Sequence, residues 1–79
     1  MIKNYKLRNG KYLKVQDTDG GYDYTLYNEN KKLIDGGVLE EPNLSDEEAL
    51  KVVLEFLDIP TDIEYEELEE DIDDDSDEW

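Results

Sequence analysis

The chain has 79 residues, no cysteine and no histidine, and its twenty-four acidic against eight basic side chains give a net charge of −16. One small domain of this length buries only about 60% of the surface its unfolded chain exposes. No disulfide braces it, and without Cys or His ligands zinc and most transition-metal sites are excluded.

The first forty residues read as strands. Ile2–Arg8 ends at Asn9-Gly10 and is followed at once by Tyr12–Gln16, so Asn9-Gly10 predicts the two-residue type I′ turn of a β-hairpin. Alternation places Tyr5, Leu7, Leu13 and Val15 on one face and leaves Lys6, Arg8, Lys11 and Lys14 to water. Asp17-Thr18-Asp19-Gly20-Gly21 reads as a second, looser turn. It leads into Tyr22–Tyr27, with Tyr22, Tyr24 and Leu26 sharing a face. Asn28-Glu29-Asn30-Lys31 turns the chain again, and Lys32–Leu39 is a fourth strand whose Gly36-Gly37 suggests a bulge or a close backbone approach.

Pro42 and Asn43 end the sheet run. Ser45 with Glu48 three residues on forms a capping box, and Asp46, Glu47 and Glu48 sit in a first turn where the helix dipole favours anions. Ala49, Leu50, Val53, Phe56 and Leu57 recur at helical spacing and predict an apolar stripe lying on the sheet, with Pro60 as the stop. Beyond Pro60 two readings stay open. Ile63 and Tyr65 alternate with acids, which suits a fifth strand, whereas Leu68 and Ile72 are four apart, which suits a short helix. The expected architecture is therefore α+β. A four- or five-stranded antiparallel meander carries one amphipathic helix on one face over residues 1–60, and an acidic segment over 61–79 is partly ordered before a tail.

The charge is unevenly placed. Residues 1–37 carry a net +2 and residues 38–79 a net −18, so a near-neutral half is joined to a polyanion. Such a body repels nucleic acid and anionic membrane and attracts basic surfaces. No apolar run approaches the ~20 residues of a membrane span. The first ten residues have lysines without the apolar core of a secretory signal. A chain without cysteine also fits a reducing cytoplasm.

Catalysis has little to work with: no His, no Cys, no Gly-rich phosphate loop and no nucleophile beside a base. Carboxylate pairs are abundant, but among twenty-four acids neighbours arise by chance. We therefore expect no enzyme and no cofactor. Asp17-Thr18-Asp19-Gly20-Gly21-Tyr22-Asp23 has carboxylates at its first, third and seventh places. It lacks an acid at the fifth, Gly at the sixth and Glu at the twelfth place of a calcium-binding EF-hand loop, and reads as a polar turn. Of the six tyrosines, Tyr5, Tyr22 and Tyr24 suit the core face. Tyr12 and Tyr27 fall on the other face and are candidate partner contacts.

The sharper candidates are acidic. Residues 62–79 hold twelve acids in eighteen positions: Asp62, Glu64, Glu66, Glu67, Glu69, Glu70, Asp71, Asp73, Asp74, Asp75, Asp77 and Glu78. Extended, that is about one charge per 5 Å. As a helix it is about one per 2.3 Å, close to the ~1.7 Å per charge of double-stranded DNA. Two readings follow: a surface offered to a protein groove built for phosphates, or a solvating segment that keeps a small domain soluble.

Asn9-Gly10-Lys11-Tyr12-Leu13, Gly20-Gly21-Tyr22-Asp23-Tyr24-Thr25-Leu26-Tyr27 and Ile34-Asp35-Gly36-Gly37-Val38-Leu39 together resemble small domains associated with the large polyvalent proteins of conjugative elements and phages in Gram-positive bacteria. The resemblance covers roughly residues 3–57, with the acidic extension after Pro60 beyond the pattern. It implies a mobile-element protein acting in the cytoplasm of a bacterial host, where such genes often counter host defences, and it carries no active site. The leading expectation is an inhibitor of the anti-CRISPR type. It would mimic nucleic acid and occupy the basic groove of a host defence nuclease, a CRISPR effector or a restriction enzyme, without binding nucleic acid itself. The alternative is an adaptor that meets a protein partner through its sheet face or edge. Either a monomer or a homodimer fits, since an exposed sheet edge invites symmetric pairing.

Overall fold

The computed structural model describes residues 2–69. It is an α+β structure of one antiparallel sheet and one helix: β1 Ile2–Leu7, β2 Tyr12–Thr18, β3 Gly21–Tyr27, β4 Leu33–Leu39, α1 Asp46–Phe56 and β5 Tyr65–Leu68. The five strands lie in the order β4-β3-β2-β1-β5. The first four form a meander. The chain then leaves the β4 margin, runs through α1 and returns on the far side to pair β5 antiparallel with β1. Of the two readings left open after Pro60, the strand is realised at Tyr65–Leu68, and Ile72 lies outside the described residues.

The expected face assignment holds. Tyr5 lies opposite Leu13, Leu13 opposite Leu26 and Val15 opposite Tyr24, and Tyr22 opposite Leu39. This face receives Ala49, Leu50, Val53 and Leu54 of α1, and together they make the buried core with Leu7 and Ile59. Full burial of a Leu or Val side chain stabilises by about 1.5–3 kcal/mol, so the few inward residues of one helix and the strands beneath carry the fold.

The first turn differs from expectation, for a reason of register. A two-residue Asn9-Gly10 loop would set Tyr5 opposite Lys14 and put the apolar residues of β1 and β2 on opposite faces. Instead Tyr5 pairs with Leu13, and Leu7 N–H donates to Lys11 O at 2.8 Å. The loop is three residues, Arg8-Asn9-Gly10. Gly10 N–H donates to Leu7 O, Gly10 takes φ +92°, and Asn9 Oδ1 accepts from Lys11 N–H at 2.9 Å. The β3–β4 connection repeats this shape with Lys31 at φ +63° in the place of Gly10. The second turn is tight, not loose, since Thr18 pairs directly with Gly21. Gly21 has φ +148°, and a Cβ there would sit 1.9 Å from Leu39 O, so no other residue fits. In β4 the irregularity falls at Ile34, which is left over between the pairs Leu26–Asp35 and Tyr27–Leu33. Gly37 is the close approach: a Cβ there would meet the Tyr24 ring at 2.6 Å.

The capping box forms as expected. Glu48 N–H donates to Ser45 Oγ and Ser45 N–H to Glu48 Oε1, both at 3.2 Å. The helix stripe needs one correction. Leu54 is buried and belongs to the core, whereas Phe56 is 57% exposed. At about 100° per residue, a face centred on Leu50 and Val53 takes in Leu54 and leaves Phe56 on the flank. The helix also stops before Pro60. Ile59 N–H donates to Leu54 O and Asp58 N–H to Glu55 O, with Asp58 at φ +59°. This is a Schellman closure, with Ile59 and Leu54 supplying its usual apolar contact.

Asp58 occupies a position suited to glycine and places an anion at the negative end of the helix dipole. Asp58→Gly should therefore stabilise the fold by about 1 kcal/mol, from relief of left-handed strain and of the dipole clash. In a domain of this size that is a rise of about 4–8 °C in Tm, readable by thermal denaturation.

Candidate functional site

The last strand is docked by charge as well as by hydrogen bonds. β1 presents Lys3, Lys6 and Arg8 along its β5 side. Lys6 lies directly opposite Glu66, Arg8 is ion-paired with Glu64, and Lys3 reaches Glu67 at 3.5 Å. Arg8 N–H also donates to Glu64 O at 2.9 Å, extending the ladder. Lys3 lies 3.6 Å from Asp46 as well, tying β5 to the start of α1. Exposed pairs contribute little each, about 0–1 kcal/mol. Their placement still favours the register, because a slip of one residue would set the buried Leu7 opposite Glu66 or Glu64. The Tyr5 and Tyr65 rings meet edge to face at 5.3 Å beneath this row.

Of the acidic partner candidates, then, Glu64, Glu66 and Glu67 face basic residues of their own chain. Asp62 and Glu69 are exposed. Glu70, Asp71, Asp73, Asp74, Asp75, Asp77 and Glu78 lie outside the described residues. Tyr12 and Tyr27 stand opposite one another on the sheet face away from α1, as alternation predicts. Lys6 and Lys31 lie 5.9 and 5.3 Å from the Tyr12 ring and Lys14 lies 5.9 Å from the Tyr27 ring, within cation–π range. Tyr12 is half-buried, but Tyr27 is only 4% exposed and offers little free surface.

Sequence reasoning offered a sheet face or edge as a partner surface without saying which strand, and the β4 margin is one such edge. Among the described residues this strand has a partner on one side only, β3. Its Leu33, Ile34 and Val38 are exposed, Val38 at 59%. On the helix side of the same margin Phe56 leans on Tyr24, ring centroids 6.4 Å apart. An open depression runs along it, lined by Asp23, Thr25, Leu33, Asp35, Gly36 and Val38 among others. The Gly36 N–H is taken by the Asp35 carboxylate at 2.8 Å, a local cap on a donor that an edge strand would otherwise offer. The signal was present in the sequence: Leu33, Ile34 and Val38 are apolar residues for which no further strand was available.

Among the described residues no group of three or more acids is placed to hold a metal ion. No described helix is long and apolar enough to cross a membrane. Near the start of α1 the Tyr5 hydroxyl is pushed up to about 12 by burial, with Glu67, Asp46 and Tyr65 adding to the shift. Tyr22 is raised too, by burial and then by Asp46, Asp17 and Glu48, while its hydroxyl donates to Leu44 O at 2.7 Å. In the unfolded chain a tyrosine ionises near pH ~10, so above that pH the unfolded state loses the Tyr5 proton first. The stability Tyr5 contributes is whole below pH ~10 and declines as pH rises toward the folded value. Tyr5→Phe should flatten the fall in Tm between pH ~10 and ~12 relative to the unsubstituted chain, a difference measurable by circular dichroism melts across that range.

The comparisons agree with the sequence resemblance and extend it. No curated protein and no solved structure matches the chain. A family model, large polyvalent protein-associated domain 16, matches residues 3–75, so the acidic extension after Pro60 falls within the family pattern as far as residue 75 and does not lie beyond it from Pro60 on. With nearly the whole chain covered, the protein belongs to the large polyvalent protein-associated domain 16 family.

Proposed function

We propose that this domain is a non-catalytic adaptor that captures an extended, net-positive segment of a partner protein along β4, adding it to the sheet as a further strand. The observation that carries the reading is the β4 margin. It is an edge strand with exposed apolar side chains on both faces, Leu33 and Val38 on one side and Phe56 against Tyr24 on the other. In strand addition the main chain supplies affinity and alternate side chains supply specificity, and here both sets have somewhere to go. Asp23 and Asp35 beside the depression, Glu40 and Glu41 at the strand's end and the net charge of −16 select a basic segment. Association with large polyvalent proteins is compatible with such a role.

A second reading keeps the nucleic-acid mimic aimed at a defence nuclease. It draws on Asp46, Glu47, Glu48 and Asp62, all exposed, and on the acids of residues 70–79. Against it, Glu64, Glu66 and Glu67 are set against Arg8, Lys6 and Lys3, which thins the charge where the mimic would need it densest.

The two readings part on one experiment. An eight-residue peptide of alternating valine and lysine is titrated into the isotope-labelled protein and followed by amide chemical shifts. Strand addition predicts shifts confined to residues 23–27 and 33–39. It also predicts that Val38→Asp weakens binding by about tenfold, the loss expected from about 1.4 kcal/mol of apolar contact. Tighter binding by Val38→Asp, or shifts centred on residues 46–48 and 62–69, would mean simple charge attraction and sink the adaptor reading.

A further inference from the structure

β4 carries no side chain at Gly36 or Gly37, and the two glycines present their main chains to opposite sides. The Gly36 N–H is turned away from β3 and donates to the Asp35 carboxylate at 2.8 Å, so its main chain faces the margin. Gly37, one residue on, lies opposite Tyr24, and alternation of the ladder turns its main chain toward β3. The described strands of this sheet all pair antiparallel. On an antiparallel strand added to β4, the residue opposite Gly37 would therefore belong to a close, non-hydrogen-bonded pair, with Cα atoms about 4.5 Å apart. Its side chain would stand on the helix side, the side of Tyr24.

Gly37 puts nothing in the way of that side chain. The Tyr24 ring fills the room a side chain at residue 37 would need, its hydroxyl 2.6 Å from where a Cβ would sit, and so lies across β4. Phe56 leans on the same ring, with centroids 6.4 Å apart, and is 57% exposed. Asp35 stands two residues along on the same face, exposed, its carboxylate held at the edge by the Gly36 N–H. Two aromatic rings and a carboxylate thus border the one position of an added strand that Gly37 leaves open.

We propose that this position is an arginine subsite: the strand captured on β4 carries an arginine opposite Gly37, its guanidinium stacked on the Tyr24 ring beside Phe56 and its N–H groups donating to the Asp35 carboxylate. The subsite rests on the adaptor reading and supplies what sets the register of the bound strand. Arginine suits it better than lysine because a planar guanidinium stacks on an aromatic face and still offers N–H donors at its rim. It reaches Asp35 because diagonal neighbours on adjacent strands are about 7–8 Å apart, within the span of a long side chain. The exchange of partners is complete. The Gly36 N–H passes to a carbonyl of the incoming strand, and the carboxylate it leaves passes to the guanidinium.

Three eight-residue peptides, titrated into the isotope-labelled full chain and followed by amide shifts, test the subsite. Each alternates valine with threonine and replaces one central threonine by arginine, lysine or leucine. All three should shift residues 33–39, with arginine bound about fivefold tighter than leucine and about threefold tighter than lysine. Asp35→Asn keeps an oxygen for the Gly36 N–H but removes the charge. It should weaken the arginine peptide by about threefold and leave the leucine peptide unchanged. Leucine or lysine binding as tightly as arginine, with the same residues shifted, overturns the subsite and leaves strand addition standing. So does equal weakening of the arginine and leucine peptides by Asp35→Asn. If no peptide shifts residues 33–39, strand addition fails and the subsite fails with it.

Discussion

The structure depends on one apolar layer, the contact between α1 and a single face of the sheet. An eleven-residue helix cannot cover five strands. Its inward residues, Ala49, Leu50, Val53 and Leu54, reach the central strands, where Leu7, Leu13 and Leu26 are buried beneath them. Everything farther out must be stabilised otherwise. On the β1 side the solution is a fifth strand locked by opposite charges and an aromatic contact. On the β4 side no further strand lies among the described residues, and Phe56 with Tyr24 gives partial shelter. Both outer strands, β4 and β5, are edges among the described residues, and they differ in what stabilises them: β5 is set against β1 by opposite charges and an aromatic contact, whereas β4 keeps exposed apolar side chains.

That layer also ranks the backbone features by consequence. Gly21 and Gly10 serve the register that brings Tyr5, Leu13 and Leu26 to one face, so their unusual φ values are needed for the core to exist. Lys31 and Asp58 adopt similar left-handed backbones without being glycine. The strain at these two positions is tolerated because neighbouring hydrogen bonds determine the turn: Asn28 Oδ1 accepts from Asn30 and Lys32 in one case, and the Schellman closure bonds in the other. A capped, apolar-striped helix is placed firmly enough to carry one poor residue at its end.

Alternation made the strands and their inward faces legible from the residues alone, because Tyr5, Leu7, Leu13, Val15, Tyr22 and Leu26 recur at every second position. The turn type was not legible. Asn9-Gly10 is the usual signature of a two-residue hairpin, but that loop and the shared face of Tyr5 and Leu13 are incompatible, and burial outranks turn preference. Leu54 and Phe56 were misplaced for a related reason. Both fit a helical period, and which of them turns inward depends on where the stripe is centred, which a list of apolar positions does not state. For the candidate site, the sign and location of the charge were plain in the sequence. The pairing of Glu64, Glu66 and Glu67 with β1 was not, because it requires knowing that β5 lies beside β1 and not beside β4.

That pairing changes what the acidic half means. A count of carboxylates treats residues 62–79 as one surface, but three of the acids are set against Lys3, Lys6 and Arg8 and serve to align a strand. Asp46, Glu47 and Glu48 sit where the positive end of the helix dipole favours them, with Glu48 completing the cap. Charges with a folding task are poorly suited to leave their partners for a nuclease groove, since each would first give up contacts it already has. A partner that meets the open β4 margin disturbs none of these contacts. Edge strands are normally blunted because they invite pairing, and among the described residues this one carries the irregularity at Ile34 and the Asp35 carboxylate on Gly36. That cap sits on an exposed side chain, so an arriving strand can replace it by a rotation of Asp35.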